Sequence, residues 1–90
     1  MLAIEYSSDF KKDLKRSTFQ GRDVAKLFVP IAMLANHTAL PPQYRDHPLK
    51  GQWKGYRELH VEADWLLIYS IANGTLFLGR TGTHAELFKK

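Results

Sequence analysis

The sequence predicts an α+β fold in which an antiparallel sheet carries two N-terminal helices packed on one face. Apolar residues between Val24 and Ala35 recur at helical spacing, whereas residues 56–81 alternate, run apolar or break at a turn pair, as strands do. The element order is strand, two helices, three strands. That order packs the helices together on one side of the sheet and leaves the opposite face open. Residues 1–90 are expected to form one such domain.

Leu2–Tyr6 reads as a short strand. Ser7 or Ser8 can cap a following helix whose first turn holds Asp9, a charge favoured near a helix N-terminus. Phe10 and Leu14 mark its buried side, Lys11, Lys12, Lys15 and Arg16 give it a basic exposed side, and Gly21 ends it. A second helix is expected from about Arg22 to Asn36. Pro30 falls inside it, so a bend or two shorter helices are anticipated, because an interior proline removes a hydrogen bond. His37–Lys54, with Pro41, Pro42, Pro48 and Gly51, reads as a long extended loop, a type of segment that often carries function.

Tyr56–Glu62 alternates, with Arg57, Leu59 and Val61 on one face and Glu58, His60 and Glu62 on the other. Trp65–Ser70 is continuously apolar, as a central strand buried on both faces would be. Asn73-Gly74 signals a hairpin leading into a last strand, Leu76–Thr81, and the tail Thr83–Lys90 has room for a single helical turn.

The chain has 13 Lys and Arg against 9 Asp and Glu, a net charge of +4, which suits a polyanionic partner such as nucleic acid and an inert basic surface equally. The absence of cysteine excludes disulfides, thiolate nucleophiles and cysteine metal sites, and fits a reducing cytoplasm. The first ten residues lack the pattern of a signal peptide, and Trp65–Tyr69 is far too short to cross a membrane, so no membrane partner is expected.

His37, His47, His60 and His84 are the candidate acid–base groups. No local pair of histidines has metal-ligand spacing, so no metal is expected. There is no G-x-S-x-G for serine hydrolase chemistry. Metal-free RNA cleavage needs a base for the ribose 2′-OH, an acid for the departing 5′-oxygen and cations for the phosphate; histidine suits the first two and Lys or Arg the third. Composition permits this chemistry without selecting it.

Three separated stretches select it by resemblance: Tyr44-Arg45-Asp46-His47-Pro48-Leu49-Lys50-Gly51-Gln52-Trp53-Lys54-Gly55-Tyr56-Arg57-Glu58, then Leu59-His60-Val61-Glu62-Ala63-Asp64-Trp65, then Arg80-Thr81-Gly82-Thr83-His84-Ala85-Glu86-Leu87-Phe88. Their order and spacing closely resemble the YafQ branch of the RelE/ParE superfamily of bacterial toxins. The resemblance implies a type II toxin that cuts mRNA in the A site of the translating 70S ribosome, without metal or cofactor, leaving a 2′,3′-cyclic phosphate and a 5′-hydroxyl. It also implies a small acidic antitoxin as partner.

Matched residue by residue, the resemblance makes His84 the principal general acid or base, with His47, His60 and Asp64 as the other catalytic candidates. It places Arg80 near the scissile phosphate and Phe88 and Trp65 near substrate. The basic cluster Lys11, Lys12, Lys15 and Arg16 becomes an RNA contact. Plainer roles stand beside these: Asp64 capping a turn, Arg80 paired with Glu58 or Glu86, Trp65 in the core, Trp53 and Tyr56 as packing residues, His37 facing solvent at a helix end. A non-catalytic gyrase inhibitor of the same fold, as in ParE-like relatives, is the alternative. It has no need of acid–base groups.

Overall fold

Ser7, not Ser8, starts the first helix. Its extended backbone places Oγ to accept the Phe10 amide at 2.8 Å, and the same hydroxyl donates to the Gly79 carbonyl at 2.7 Å. The computed structural model describes residues 1–88. Strand β1 (Ala3–Tyr6) leads into α1 (Ser8–Phe19), then α2 (Ala25–Ala35), a two-residue β2 (His47–Pro48), β3 (Arg57–Glu62), β4 (Trp65–Ala72), β5 (Thr75–Gly82) and the single turn α3 (His84–Leu87).

The sheet runs β1-β5-β4-β3-β2. Its last four members are antiparallel neighbours, as expected, but β1 pairs parallel with β5, so the sheet is mixed. The parallel pairing follows from connectivity. The two helices carry the chain far enough between β1 and the late strands for β1 to take the free side of β5. Asn73 and Gly74 both have positive φ, 51° and 74°, as the hairpin between β4 and β5 requires.

β4 is buried on both faces. Trp65, Leu67 and Tyr69 join Phe10, Leu27, Ile31, Leu59, Leu76 and Leu78 beneath the helices. Leu66 and Ile68 point the other way, into a second cluster with Leu87, Leu49, Trp53, Tyr56 and Phe88. The face expected to be open is therefore partly covered by the 49–56 loop and α3. The loop itself is less irregular than expected: β2 lies between two short 3-10 turns, Pro42–Tyr44 and Gly51–Trp53.

Helix α2 begins at Ala25 rather than near Arg22 and continues unbroken through Pro30. The missing bond would go to the carbonyl of Lys26, an exposed first-turn residue, while the proline ring is buried. The expected turn in the tail forms at His84–Leu87; Lys89 and Lys90 lie outside the described residues.

The β5 strand is irregular at its centre. Ile68 pairs with Arg80 and Tyr69 with Leu78, so Gly79 bulges. β1 also ends at Tyr6, leaving the outer edge of β5 beyond Leu78 without a strand among the described residues. Side chains of α1 take its place: Ser7 donates to Gly79, Asp13 accepts the Thr81 amide at 3.1 Å, and Arg16 donates to the Thr81 carbonyl at 3.2 Å.

Candidate active site

The backbone brings His47, Glu58 and His60 together before any side chain is considered. His47 of β2 is directly opposite Glu58 of β3, and His60 follows Glu58 by two residues, on the same face. This face is the one opposite the helices, beside Leu66 and Ile68.

Asp46 fixes the start of β2. It accepts from Arg57 Nε and Nη2 at 3.2 and 3.1 Å and from the Tyr69 hydroxyl at 2.5 Å. Burial first, and the bond to Asp46 second, push the Tyr69 phenol well above its ordinary range. The bond to Asp46 also raises Arg57. The next residue, His47, donates Nδ1–H to the Arg45 carbonyl at 2.7 Å, because a carbonyl can only accept.

His47 Nε2 then faces Glu58 Oε2 at 3.2 Å, and His60 Nε2 faces the same oxygen at 3.4 Å. The Glu58 side chain is 6% exposed, that of His60 15% and that of His47 46%. A buried carboxylate between two imidazoles is a strong attractor of positive charge. The nitrogen and oxygen ligand atoms of His47, Glu58 and His60 lie within 4.8 Å of one another, and such a donor set fits a divalent transition metal as well as a proton. The local sequence spacing gave no hint of this set, because His47 joins it through strand pairing.

The third histidine ring, His84, lies 5.9 Å from His60 between centroids. It is the first residue of α3, and Asp64, in the β3–β4 turn, holds it twice: Oδ1 accepts the His84 backbone N–H at 3.0 Å and Nδ1–H at 2.8 Å. These bonds, the backbone one first, lower Asp64 below the usual carboxylate range. A carboxylate so lowered carries no proton, so the hydrogen in the contact belongs to Nδ1 and Nε2 is left for chemistry. The Phe88 ring is one turn further on, 6.1 Å from His84 and 6.4 Å from Trp53.

The Arg80–His84 stretch is held by contacts at each of its residues. Arg80 forks onto Asp13, Nε at 2.6 Å and Nη2 at 3.1 Å. That bond raises the arginine further above its ordinary value. Thr81 accepts from Trp65 Nε1 at 3.0 Å and donates to the Leu66 carbonyl at 2.7 Å. At Gly82, with φ 155°, a Cβ would lie 2.7 Å from Arg16 Nη2 and 2.8 Å from Glu86 Oε1, so any other residue would have to push these side-chain ends aside. Thr83 and Glu86 form a capping box that starts α3 at His84. Glu86 is further tied to Arg16 Nε at 3.2 Å and to Gln20 at 3.1 Å; hydrogen bonding, that from the Thr83 amide foremost, depresses its pKa.

Several expected binding residues are placed differently. Trp65 is 1% exposed and belongs to the core, with the Arg22 guanidinium 5.4 Å above its ring. Arg80 pairs with Asp13, not with Glu58 or Glu86. Arg16 is not a free surface cation but the link between Asp13 and Glu86. Lys11, Lys12 and Lys15 are exposed on α1, which packs on the far side of the sheet from the histidines. Trp53 and Tyr56 pack edge to face within the second cluster. His37 is exposed after α2, with φ 57°, outside the site. Two residues escaped sequence reasoning. Glu58 was visible only as sharing a strand face with His60 and as a possible partner of Arg80, and Asp13 was not singled out by any motif.

Fold and site thus define a small α+β protein with histidines and carboxylates gathered on one sheet face. The profile of the family described as "Bacterial toxin of type II toxin-antitoxin system, YafQ" matches residues 2–89. The chain belongs to this family of toxins of type II toxin–antitoxin systems. It is 50% identical over 86 residues, 94% of each chain, to the mRNA interferase toxin YafQ of Escherichia coli K12. Its structure is similar to that of YafQ in the E. coli DinJ-YafQ complex, with TM-score 0.90, 47% identity, and 98% of this chain and 99% of that one covered. It is also similar to a metal-bound toxin from Helicobacter pylori, with TM-score 0.92, 48% identity, and 98% and 100% covered.

Proposed function

We propose that this chain is an mRNA interferase, an endoribonuclease that cleaves mRNA on the translating ribosome and is held in check by a small antitoxin. The observation that carries this reading is the gathering of His47, Glu58, His60, Asp64 and His84 on one sheet face, with separate carboxylates for separate histidines. The similarity to an E. coli mRNA interferase and to a toxin complexed with DinJ supports the substrate and the partner.

Cleavage proceeds by attack of the ribose 2′-OH on the adjacent phosphorus. The Glu58–His60 pair takes the hydroxyl proton, and its buried carboxylate accepts positive charge from either histidine. His47, at the open side of the cluster, acts on the phosphate oxygens through its field as charge grows on them, since Nδ1 is given to the Arg45 carbonyl and Nε2 faces Glu58. His84 delivers a proton from Nε2 to the departing 5′-oxygen while Asp64 keeps the ring oriented through Nδ1. The leaving nucleoside stacks on Phe88, beside His84. The products are a 2′,3′-cyclic phosphate and a 5′-hydroxyl, and no metal takes part. Arg80 acts on the phosphate only through its field, since its guanidinium is engaged by Asp13.

The test is cleavage of a defined mRNA with and without ribosomes, with product ends mapped chemically. The reading requires ribosome-stimulated cutting, cyclic phosphate ends, no cutting of DNA, and activity that survives EDTA while the ribosomes stay intact. Loss of activity in EDTA on intact ribosomes would instead assign the His47, Glu58 and His60 donor set to a metal.

A further inference from the structure

A cleft of about 310 Å³ opens beside the histidines, between the Pro42–Tyr44 turn and the end of β3. His60 forms the wall it shares with the cluster, its Nε2 turned to Glu58 and its ring next to His84. Gln43, Tyr44, Arg45 and Glu62 contribute other walls. The size is at the small end of ligand sites, roughly 300–1,000 Å³, and suits one ring system rather than a long ligand.

Its chemistry is that of a base pocket. Glu62 is already paired with Lys26 at 3.0 Å, which leaves Arg45 as the unpaired charge at the cleft among the described residues. Gln43 is exposed and offers both donors and an acceptor. Tyr44 packs against the helix-side core, so this aromatic wall is fixed. Unstacked bases of single-stranded RNA are bound by this combination: an aromatic or guanidinium plane, with amide groups reading the base edge.

The backbone ties the cleft to the cluster. Arg45 adopts φ 49°, ψ 42°, the left-handed conformation that ends the Pro42–Tyr44 turn. That conformation lets its carbonyl fix the tautomer of His47 while its side chain stands at the cleft. One residue thus joins the acid–base cluster to the pocket.

We propose that this cleft holds the nucleobase next to the scissile phosphate, and that Gln43 and Arg45 set which base is preferred. The inference rests on the RNA-cleaving reading. With ribosome-bound mRNA, each nucleotide flanking the cut is replaced in turn by an abasic ribonucleotide. Wild type should slow at one flanking position by roughly 5- to 150-fold, the range for losing a stacked base. The variant Gln43→Ala/Arg45→Gly should cut intact and abasic substrates at that position within about 2-fold of each other. Glycine keeps the left-handed turn, so the His47 contact survives, and Gln43→Ala alone, on an exposed turn, gives a partial loss of discrimination.

An unchanged abasic penalty in the double variant overturns the proposal, as does a wild type indifferent to abasic sites. Weaker antitoxin binding by the variants, with base dependence intact, would give the cleft to the antitoxin instead. A wild type that cuts no RNA removes the RNA-cleaving reading itself, an outcome distinct from cutting without discrimination.

Discussion

Replacing Asp13 with alanine should cost this protein more stability than any single change in its histidine cluster. Asp13 is 2% exposed and accepts four hydrogen bonds: from Arg16 Nη1 at 2.9 Å, Arg80 Nε at 2.6 Å and Nη2 at 3.1 Å, and the Thr81 amide at 3.1 Å. Its loss strands the Thr81 N–H in a buried position, which costs about 1–3 kcal/mol. Breaking a fully buried ion pair costs about 3–5 kcal/mol. Arg80 and Arg16 are 24% and 35% exposed, so water recovers part of that second cost. The net expectation is about 2–4 kcal/mol, out of a total of roughly 5–13 kcal/mol for a chain this long. At about 4–8 °C per kcal/mol, Tm should fall by about 8–30 °C. Urea unfolding followed by fluorescence reads this directly, because buried Trp65 bonds to Thr81 itself. Arg80→Ala should cost less, since Asp13 keeps Arg16 and the Thr81 amide. A loss below about 1 kcal/mol for Asp13→Ala, or a larger loss for Arg80→Ala, would refute the view that Asp13 substitutes for a missing strand at the β5 edge.

The site and its supports respond differently to substitution and to acid. His84→Ala should leave Tm within a few degrees and lower the cleavage rate by about 10²–10⁴, with Asp64→Asn losing less because the amide oxygen still accepts from Nδ1–H and only the negative charge is removed; initial rates on ribosome-bound mRNA measure both. Asp64 and Glu86 are both depressed from their ordinary values of 3.8 and 4.5, so each contributes stability that is present above those values and is lost as pH falls through the lower folded ones. Urea midpoints between about pH 2 and 6 should show that acid limb flattened in Asp64→Asn/Glu86→Gln. Gly82→Ala should force Arg16 and Glu86 apart and loosen α3, read as faster amide exchange at Leu87 and Phe88 and a reduced cleavage rate.

Local chemistry made much of the fold readable. The Ser7 cap, the Asn73-Gly74 turn and the doubly buried β4 each depend on neighbours within a few residues. What was not readable depends on partners far along the chain. The parallel pairing of Ala3–Tyr6 with Thr75–Leu78 leaves no mark on either segment. Arg16 reads as a solvated cation until Glu86, 70 residues on, arrives beside it. Trp65 fits a substrate role by motif, but its indole N–H is satisfied inside the core by Thr81, so the motif position reflects packing. Glu58 was within reach, because alternation in β3 places it beside His60, yet its significance required His47 from the loop.

The two carboxylates of the site are not interchangeable, and in the proposed reaction this divides the labour among the histidines. Asp64 is exposed, and its bond to His84 is already matched: Nδ1–H donates, Oδ1 accepts, and no further proton is needed. Glu58 is buried and its contact is unmatched. The Arg45 carbonyl claims the Nδ1 hydrogen of His47, so two lone pairs meet at 3.2 Å unless a proton or another cation lies between Nε2 and Oε2. His60 Nε2 presses on the same oxygen from the other side. In the proposed reaction the buried Glu58 carboxylate is therefore the group that draws positive charge toward an approaching polyanion, whereas the Asp64–His84 pair orients the ring whose Nε2 is assigned the proton transfer. Exchanging the carboxylates tests the division. Glu58→Gln donates to one histidine in place of accepting from both, and should weaken RNA binding as well as turnover. Asp64→Asn should alter turnover with RNA affinity retained.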